Sequence, residues 1–274
     1  MKARIEKRFA DLKAEGRAAF VPYVMAGDPD RATAQAILDG LPEAGADIIE
    51  LGFPISDPMA EGPPIQRAAQ RALAKGMTLK GVLEMVAAFR GHDATTPIVL
   101  MGYANLLVNW GYDAFCRDAA AAGVDGLIIV DLPPEEADPL ADACDVHDVS
   151  LIRLATPTTD DRRLPVVIAR TSGFVYYVSV AGVTGVKAAD AAAVAPHVER
   201  VRKASGLPVA VGFGIRTPER ASEIARIADA VVVGSQLVDE VAEAVDLNED
   251  VTRRVLSKVS ELAKAVRLAR RVHV

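Results

Sequence analysis

Short apolar runs rich in β-branched residues alternate with longer amphipathic stretches along the whole chain. Eight such runs recur, at 19–24, 47–51, 97–101, 126–130, 150–154, 174–179, 208–211 and 230–233, each with a turn after it. Most are continuously apolar, the pattern of strands covered on both faces. Between them apolar positions repeat at helical spacing over 31–41, 79–89, 112–122, 135–144, 188–204 and 218–227. Eight strands alternating strictly with helices predict an α/β fold, a closed parallel (β/α)8 TIM barrel.

Two amphipathic stretches fall outside the repeat, around 5–15 and from about 249 to 271, and predict extra N-terminal and C-terminal helices. No Ser/Gly-rich linker or abrupt change of composition divides the chain, so residues 1–274 are expected to form one barrel domain. The longest loops are expected at 52–64 and 174–187, both after strands, where the loops of a barrel open on its catalytic face.

Composition narrows the function classes. The net charge of -6 and pI near 5.3 argue against a nucleic-acid or anionic-membrane footprint. Lys258, Lys264, Arg267, Arg270 and Arg271 cluster late in the last helix, where cations suit the helix dipole. Cys116 and Cys144 lie in helical patterns without CxxC or Cys/His spacing, which predicts reduced core thiols and no metal site. The first residues lead into a charged amphipathic helix and no run approaches a membrane span, so a cytoplasmic protein is expected.

Candidate chemistry gathers after the strands. The run from Ile49 to Gly62 carries Glu50, Asp57 and Glu61 out of an apolar strand into a loop punctuated by Gly and Pro. At the mouth of a buried sheet the pKa of Glu50 can rise into the range useful for proton transfer. Asp131 follows the fourth run, and Tyr23, Tyr103 and Tyr176 lie near the ends of runs one, three and six. Each tyrosine either lines the mouth or packs in the barrel with its hydroxyl hydrogen-bonded. Glycines follow the last three runs: Gly182 and Gly185 around Thr184, Gly212 and Gly214 around Phe213, then Gly234 with Ser235 opening a short helical stretch. Glycines let backbone N–H groups approach an anion, and this is where barrels bind phosphate. None of His92, His147, His197 and His273 falls in a strand-end loop, which leaves carboxylates to move protons. GxGxxG and Walker motifs are absent, so a tightly held nucleotide is not suggested.

These segments together carry a resemblance. Phe20-Val21-Pro22-Tyr23 with Gly27-Asp28-Pro29, the acidic run with Pro63 and Gln66, Tyr103-Ala104-Asn105, Asp131-Leu132-Pro133, the 179–185 stretch, 212–215 and Gly234-Ser235 resemble the tryptophan synthase α subunit family over essentially the full chain. The acidic run is highly specific to that family, whereas the glycines are shared by many phosphate-binding barrels. The resemblance implies retro-aldol cleavage of indole-3-glycerol phosphate to indole and glyceraldehyde 3-phosphate. It implies Glu50 as acid/base, Glu61 at the position that accepts the indole N–H, and Tyr176, Thr184 and Asp131 in support. Gly185, Gly214, Gly234 and Ser235 match phosphate ligands; Tyr23 and Tyr103 are substrate candidates by their position at the mouth. It further implies no cofactor in this chain and a pyridoxal-phosphate β subunit as partner in an α2β2 assembly, with Asp57 in the loop that communicates between them.

The sequence departs from the family pattern twice. Glu61 stands where aspartate is commoner, and Phe53-Pro54-Ile55 replaces a more usual Val-Pro-Phe order. Moving the aromatic from 55 to 53 can conserve volume, while the longer Glu61 changes the reach of the carboxylate. Two alternatives compete with a lyase working inside a two-protein complex. One is a stand-alone indole-glycerol-phosphate lyase or another phosphosugar barrel enzyme, and the other a catalytically poor subunit kept to activate its β partner.

Overall fold

Eight apolar segments become β1 (Ala19–Met25), β2 (Ile49–Gly52), β3 (Ile98–Gly102), β4 (Gly126–Ile129), β5 (Ser150–Ala155), β6 (Val175–Val178), β7 (Val209–Gly212) and β8 (Ala230–Val233) in the computed structural model, which describes residues 2–179, 190–212 and 214–270. They pair in parallel in chain order, and β8 closes on β1, with Ala19 opposite Ala230 and Pro22 opposite Val233. This is the barrel that the hydrophobic pattern predicts. The helices are α1 (Lys2–Ala14), α2 (Arg31–Ala44), α3 (Pro63–Ala74), α4 (Leu79–Arg90), α5 (Ala104–Trp110), α6 (Tyr112–Ala122), α7 (Asp138–Val146), α8 (Leu164–Ile168), α9 (Ala191–Ser205), α10 (Pro218–Ile227), α11 (Ser235–Asp246) and α12 (Val251–Leu268).

A repeated device starts the strands in pairs. Asp47, just before β2, donates its N–H to the Phe20 carbonyl of β1 at 2.9 Å and accepts the Phe20 N–H on its carboxylate at 2.8 Å. Asp125 does the same with Ile98 of β3, and Asp229 with Val209 of β7. For the fourth pair Ser172 takes the part, its N–H on the Leu151 carbonyl and its Oγ accepting the Leu151 N–H at 3.2 Å. The three carboxylates are then neutralised by arginines: Arg8 and Arg17 on Asp47, Arg4 and Arg90 on Asp125, Arg202 on Asp229. These latches lie at the amino ends of the strands, opposite the end where the strand-to-helix loops carry the candidate acids, and α1 closes the latch end by burying Ile5, Phe9 and Leu12. Asp47 is thus a latch rather than the first strand residue the pattern implied.

The structure corrects the sequence expectations for several loops and helices. The 52–64 segment is a loop only to Gly62, because Pro63 opens α3; Pro at the first helical position costs no hydrogen bond. The stretch after Gly234 is a full 12-residue helix, α11, that buries Leu237, Val238, Val241 and Ala244. The expected 174–187 loop overlaps β6, and its remainder from 180 lies outside the described residues. The long C-terminal helix buries Val255, Val259, Leu262 and Val266. Beyond its end Arg270 reaches the carbonyls of Ala225 and Ala228 at 2.8 and 2.6 Å, satisfying the end of α10 rather than adding to a solvated cationic face. Cys116 and Cys144 are buried free thiols with their sulfurs 3.8 Å apart. Among the described residues no helix is long and apolar enough to cross a membrane.

Candidate active site

Glu50 stands in β2 opposite Tyr23 of β1 and Val99 of β3, in a strand buried along its length. The side chain is only 2% exposed, and its Oε2 meets no hydrogen-bond partner among the described residues. An ionised carboxylate there loses its water without compensation. Burial first, and the charge of Glu61 second, push its pKa up to about 8.

Glu61 comes from the loop after the same strand and folds back over the mouth. Its N–H donates to the Pro58 carbonyl at 3.1 Å, and the Gln66 side chain donates to its carbonyl at 2.8 Å, so the first turn of α3 holds its backbone. The residue is buried, and burial raises its pKa to about 7. The preceding N–H, of Ala60, donates to the Tyr103 hydroxyl at 3.0 Å. A pocket between Tyr23, Phe53, Glu61, Ile65, Met101 and Tyr103 lies under this loop. Phe53 lies over Gly102, where a Cβ would overlap its ring. The aromatic displaced from position 55 therefore fills space beside β3.

The three tyrosines join this acidic centre. Burial raises the pKa of Tyr23 and Tyr176 well above the usual value, and the charges of Glu50 and Glu61 add to it for both. Tyr103 shifts upward by burial and then by Glu61. All three phenols stay protonated across the ordinary pH range. Tyr176 lies over Gly212 and Tyr23 over Gly52, and in each case a Cβ on the glycine would collide with the ring. These glycines make room for aromatic rings at the mouth.

The remaining candidates sit around the rim. Asp57 is exposed and accepts a hydrogen bond from Ser56 Oγ at 2.5 Å. Asp131 is also exposed, and its carboxylate accepts the Ala104 N–H at 2.8 Å, capping α5 from the neighbouring strand end. Across the mouth Gly214 has φ +73°, the left-handed region that glycine enters freely. Gly234 precedes α11, whose first residue is Ser235; among the described residues no side chain caps this helix, and no acid occupies its first turn. Its N-terminus is therefore suited to an anion. Thr184 and Gly185 lie outside the described residues.

Sequence reasoning assigned no role to Asp28. Its buried carboxylate is held by Arg71 of α3 through two bonds of 2.7 and 2.8 Å, tying the loop after β1 to the helix after the acidic loop. The signal was Asp28 between Gly27 and Pro29, but its partner lay in a stretch read without a helix. Ser179 Oγ donates to the Gly212 carbonyl at 2.8 Å and joins the ends of β6 and β7. Among the described residues no group of His, Cys, Asp and Glu is arranged to hold a metal ion.

A parallel eight-stranded barrel that buries two carboxylates among tyrosine rings at its carboxyl-end mouth defines a barrel enzyme suited to proton transfer. Known proteins narrow this class. Residues 9–267 match the model of the tryptophan synthase alpha chain family. The tryptophan synthase alpha chain of Phenylobacterium zucineum is 81% identical over 99% of this chain and 98% of its own. That of Caulobacter vibrioides is 71% identical over 98% of each. The crystal structure of tryptophan synthase subunit alpha from Legionella pneumophila superposes with a TM-score of 0.90 at 41% identity, over 96% of this chain and 98% of that one. The chain belongs to the tryptophan synthase alpha chain family, the lyase subunit of tryptophan biosynthesis that cleaves indole-3-glycerol phosphate, and the alpha designation implies a beta-chain partner.

Proposed function

We propose that Glu50 is the acid/base of the retro-aldol cleavage and that Glu61 steadies the cation it creates. The observation that carries this reading is a buried Glu50 with an unpartnered carboxyl oxygen and a pKa near 8, beside a second buried acid whose pKa lies lower. At neutral pH Glu50 is then largely protonated and able to give a proton. Delivery of that proton to C3 of the indole ring leaves positive charge at the ring nitrogen. The Glu61 carboxylate, accepting the ring N–H, stabilises this charge where water is excluded.

The Glu50 carboxylate next takes the proton of the hydroxyl on the carbon attached to the ring. The carbon–carbon bond breaks, its electron pair returns to the ring, and the hydroxyl carbon becomes the aldehyde of glyceraldehyde 3-phosphate. One proton is given and one taken, so Glu50 ends as it began. Tyr176, Tyr23 and Tyr103 stay neutral and offer ring surface and hydroxyl donors to the substrate. Gly214, Gly234 and Ser235 take the phosphate at the uncapped start of α11. Thr184 and Gly185 are assigned to substrate and phosphate by the family resemblance, and Asp131 to support at the rim.

The β chain is placed over the mouth loops in an α2β2 assembly, with pyridoxal phosphate in the β chain, no cofactor in this one, and the whole in the cytoplasm. Met59, 77% exposed in the acidic loop, and Val108, 61% exposed on α5, support docking on this face, and exposed Asp57 is the coupling group between the chains. Glu50→Gln tests the assignment: indole release from indole-3-glycerol phosphate should fall by roughly 10²- to 10⁴-fold, the usual contribution of a general acid/base, with the fold intact. Turnover near wild type in that variant would move the role to another group.

A further inference from the structure

The acidic mouth poses an electrostatic problem for a phosphorylated substrate. Glu61, Asp57 and Asp131 carry or share negative charge there, and the chain as a whole is at -6. A dianion approaching this face meets repulsion that backbone N–H groups, acting only at contact, do not relieve at a distance.

Cations stand beside the expected phosphate end of the mouth. Arg216 follows Gly214 by two residues, and its guanidinium lies 2.6 Å from Asp239 Oδ2. Arg67 of α3 lies 4.0 Å from the other oxygen, Oδ1. Asp239 is one helical turn beyond Ser235 in α11, on the same face of that helix. One carboxylate between two guanidinium groups leaves a net charge of about +1 on this triad. The Arg67 and Arg216 side chains are 58% and 44% exposed, whereas Asp239 is 20% exposed, so the positive ends face water. The triad joins the loop after β7, the helix after β8 and the helix after the acidic loop.

We propose that Arg216 and Arg67, gathered on Asp239, form a cationic rim that draws the phosphate end of the substrate to the mouth. The inference rests on the phosphate site proposed above and adds side chains that act at a distance. They govern capture of the anion and leave the chemical step alone. A unit charge roughly 10 Å from a dianion, partly screened, is worth about threefold in binding at low salt and little at high salt.

The test is kcat/KM for indole-3-glycerol phosphate against ionic strength for wild type, Arg216→Gln, Arg67→Gln and Asp239→Asn. Lys13→Gln, an exposed lysine of α1 near the closed end of the barrel, makes the same change in net charge. Each arginine variant should lose about threefold at roughly 10 mM salt, converge on wild type near 0.5 M, and keep its kcat. Asp239→Asn should shift the other way at low salt. An unchanged Arg216→Gln profile at low salt, or an equal loss in Lys13→Gln, would overturn the rim. Calorimetry with inorganic phosphate separates the two claims. Wild type that binds no phosphate refutes the underlying site, whereas binding that is identical in wild type and Arg216→Gln at low salt refutes only the rim.

Discussion

Glu50 and Glu61 are two carboxylates made different by their surroundings. Glu50 sits within the strand, fully buried and with an unpartnered oxygen, while Glu61 sits on a loop braced by Gln66 and Tyr103. On the proposed roles, protonation of Glu61 would remove the countercharge for the indole cation, and ionisation of Glu50 would remove the proton donor. The sign therefore gives a bell-shaped kcat/KM, with an acid limb near 7 governed by Glu61 and an alkaline limb near 8 governed by Glu50. The two interact, so the limbs belong to the pair. Glu61→Gln should lose about 10²-fold or more and abolish the acid limb. Because the Glu61 charge raises the pKa of Glu50, the alkaline limb should also move to lower pH. Glu61→Asp should lose less. An acid limb that persists unchanged in Glu61→Gln would defeat the assignment. At this scale the sequence was legible where the signal is local: an acid ending an apolar run already placed Glu50 at the end of a buried strand. Asp131 as the cap of α5 was hidden, because its partner Ala104 belongs to another strand end.

The strand latches argue the same point for elements. Hydrophobic runs revealed all eight strands because strands buried on both faces are apolar at every position. α3 was missed for a physical reason: its buried stripe is Ile65 followed by Ala68, Ala69 and Ala72, and alanines give a weak hydrophobic signal. The acids before β2, β4 and β8 looked like polar punctuation, whereas each binds a backbone N–H of the preceding strand and one or more arginines. Asp125 is the most demanding case, fully buried with Arg4, Arg90 and the Ile98 N–H on its two oxygens. Asp125→Ala leaves Arg90 nearly buried without its countercharge, which should cost about 3–5 kcal/mol. Ser172→Ala removes the neutral version of the same latch and should cost about 1 kcal/mol. Urea unfolding followed by circular dichroism measures both. Equal losses in the two variants would mean that the charge on the latch contributes nothing.

For the molecule as a whole, one end is closed by α1 and the latches, and the other end carries the buried acids to which the chemistry is assigned. Exposed apolar side chains at the working end therefore matter more than scattered ones elsewhere. Met59 is 77% exposed between Asp57 and Glu61, and Val108 is 61% exposed on the helix that Asp131 caps. A β chain seated on both would press on the loop that carries Glu61 and favour the arrangement in which the carboxylate faces the substrate. Binding accelerates cleavage only if those contacts are better in that arrangement than in the open one. Met59→Asp should then weaken the complex by about tenfold or more, the scale of losing a buried apolar anchor, while indole release by the isolated chain stays near wild type. Asp57→Ala should bind β more normally but respond less to it, if the exposed carboxylate serves the proposed coupling and not cleavage. The measurement is cleavage rate titrated with β chain for wild type and both variants. A wild-type rate that stays flat at saturating β chain would show that the mouth works alone, and Met59→Asp titrating like wild type would place the partner on another face.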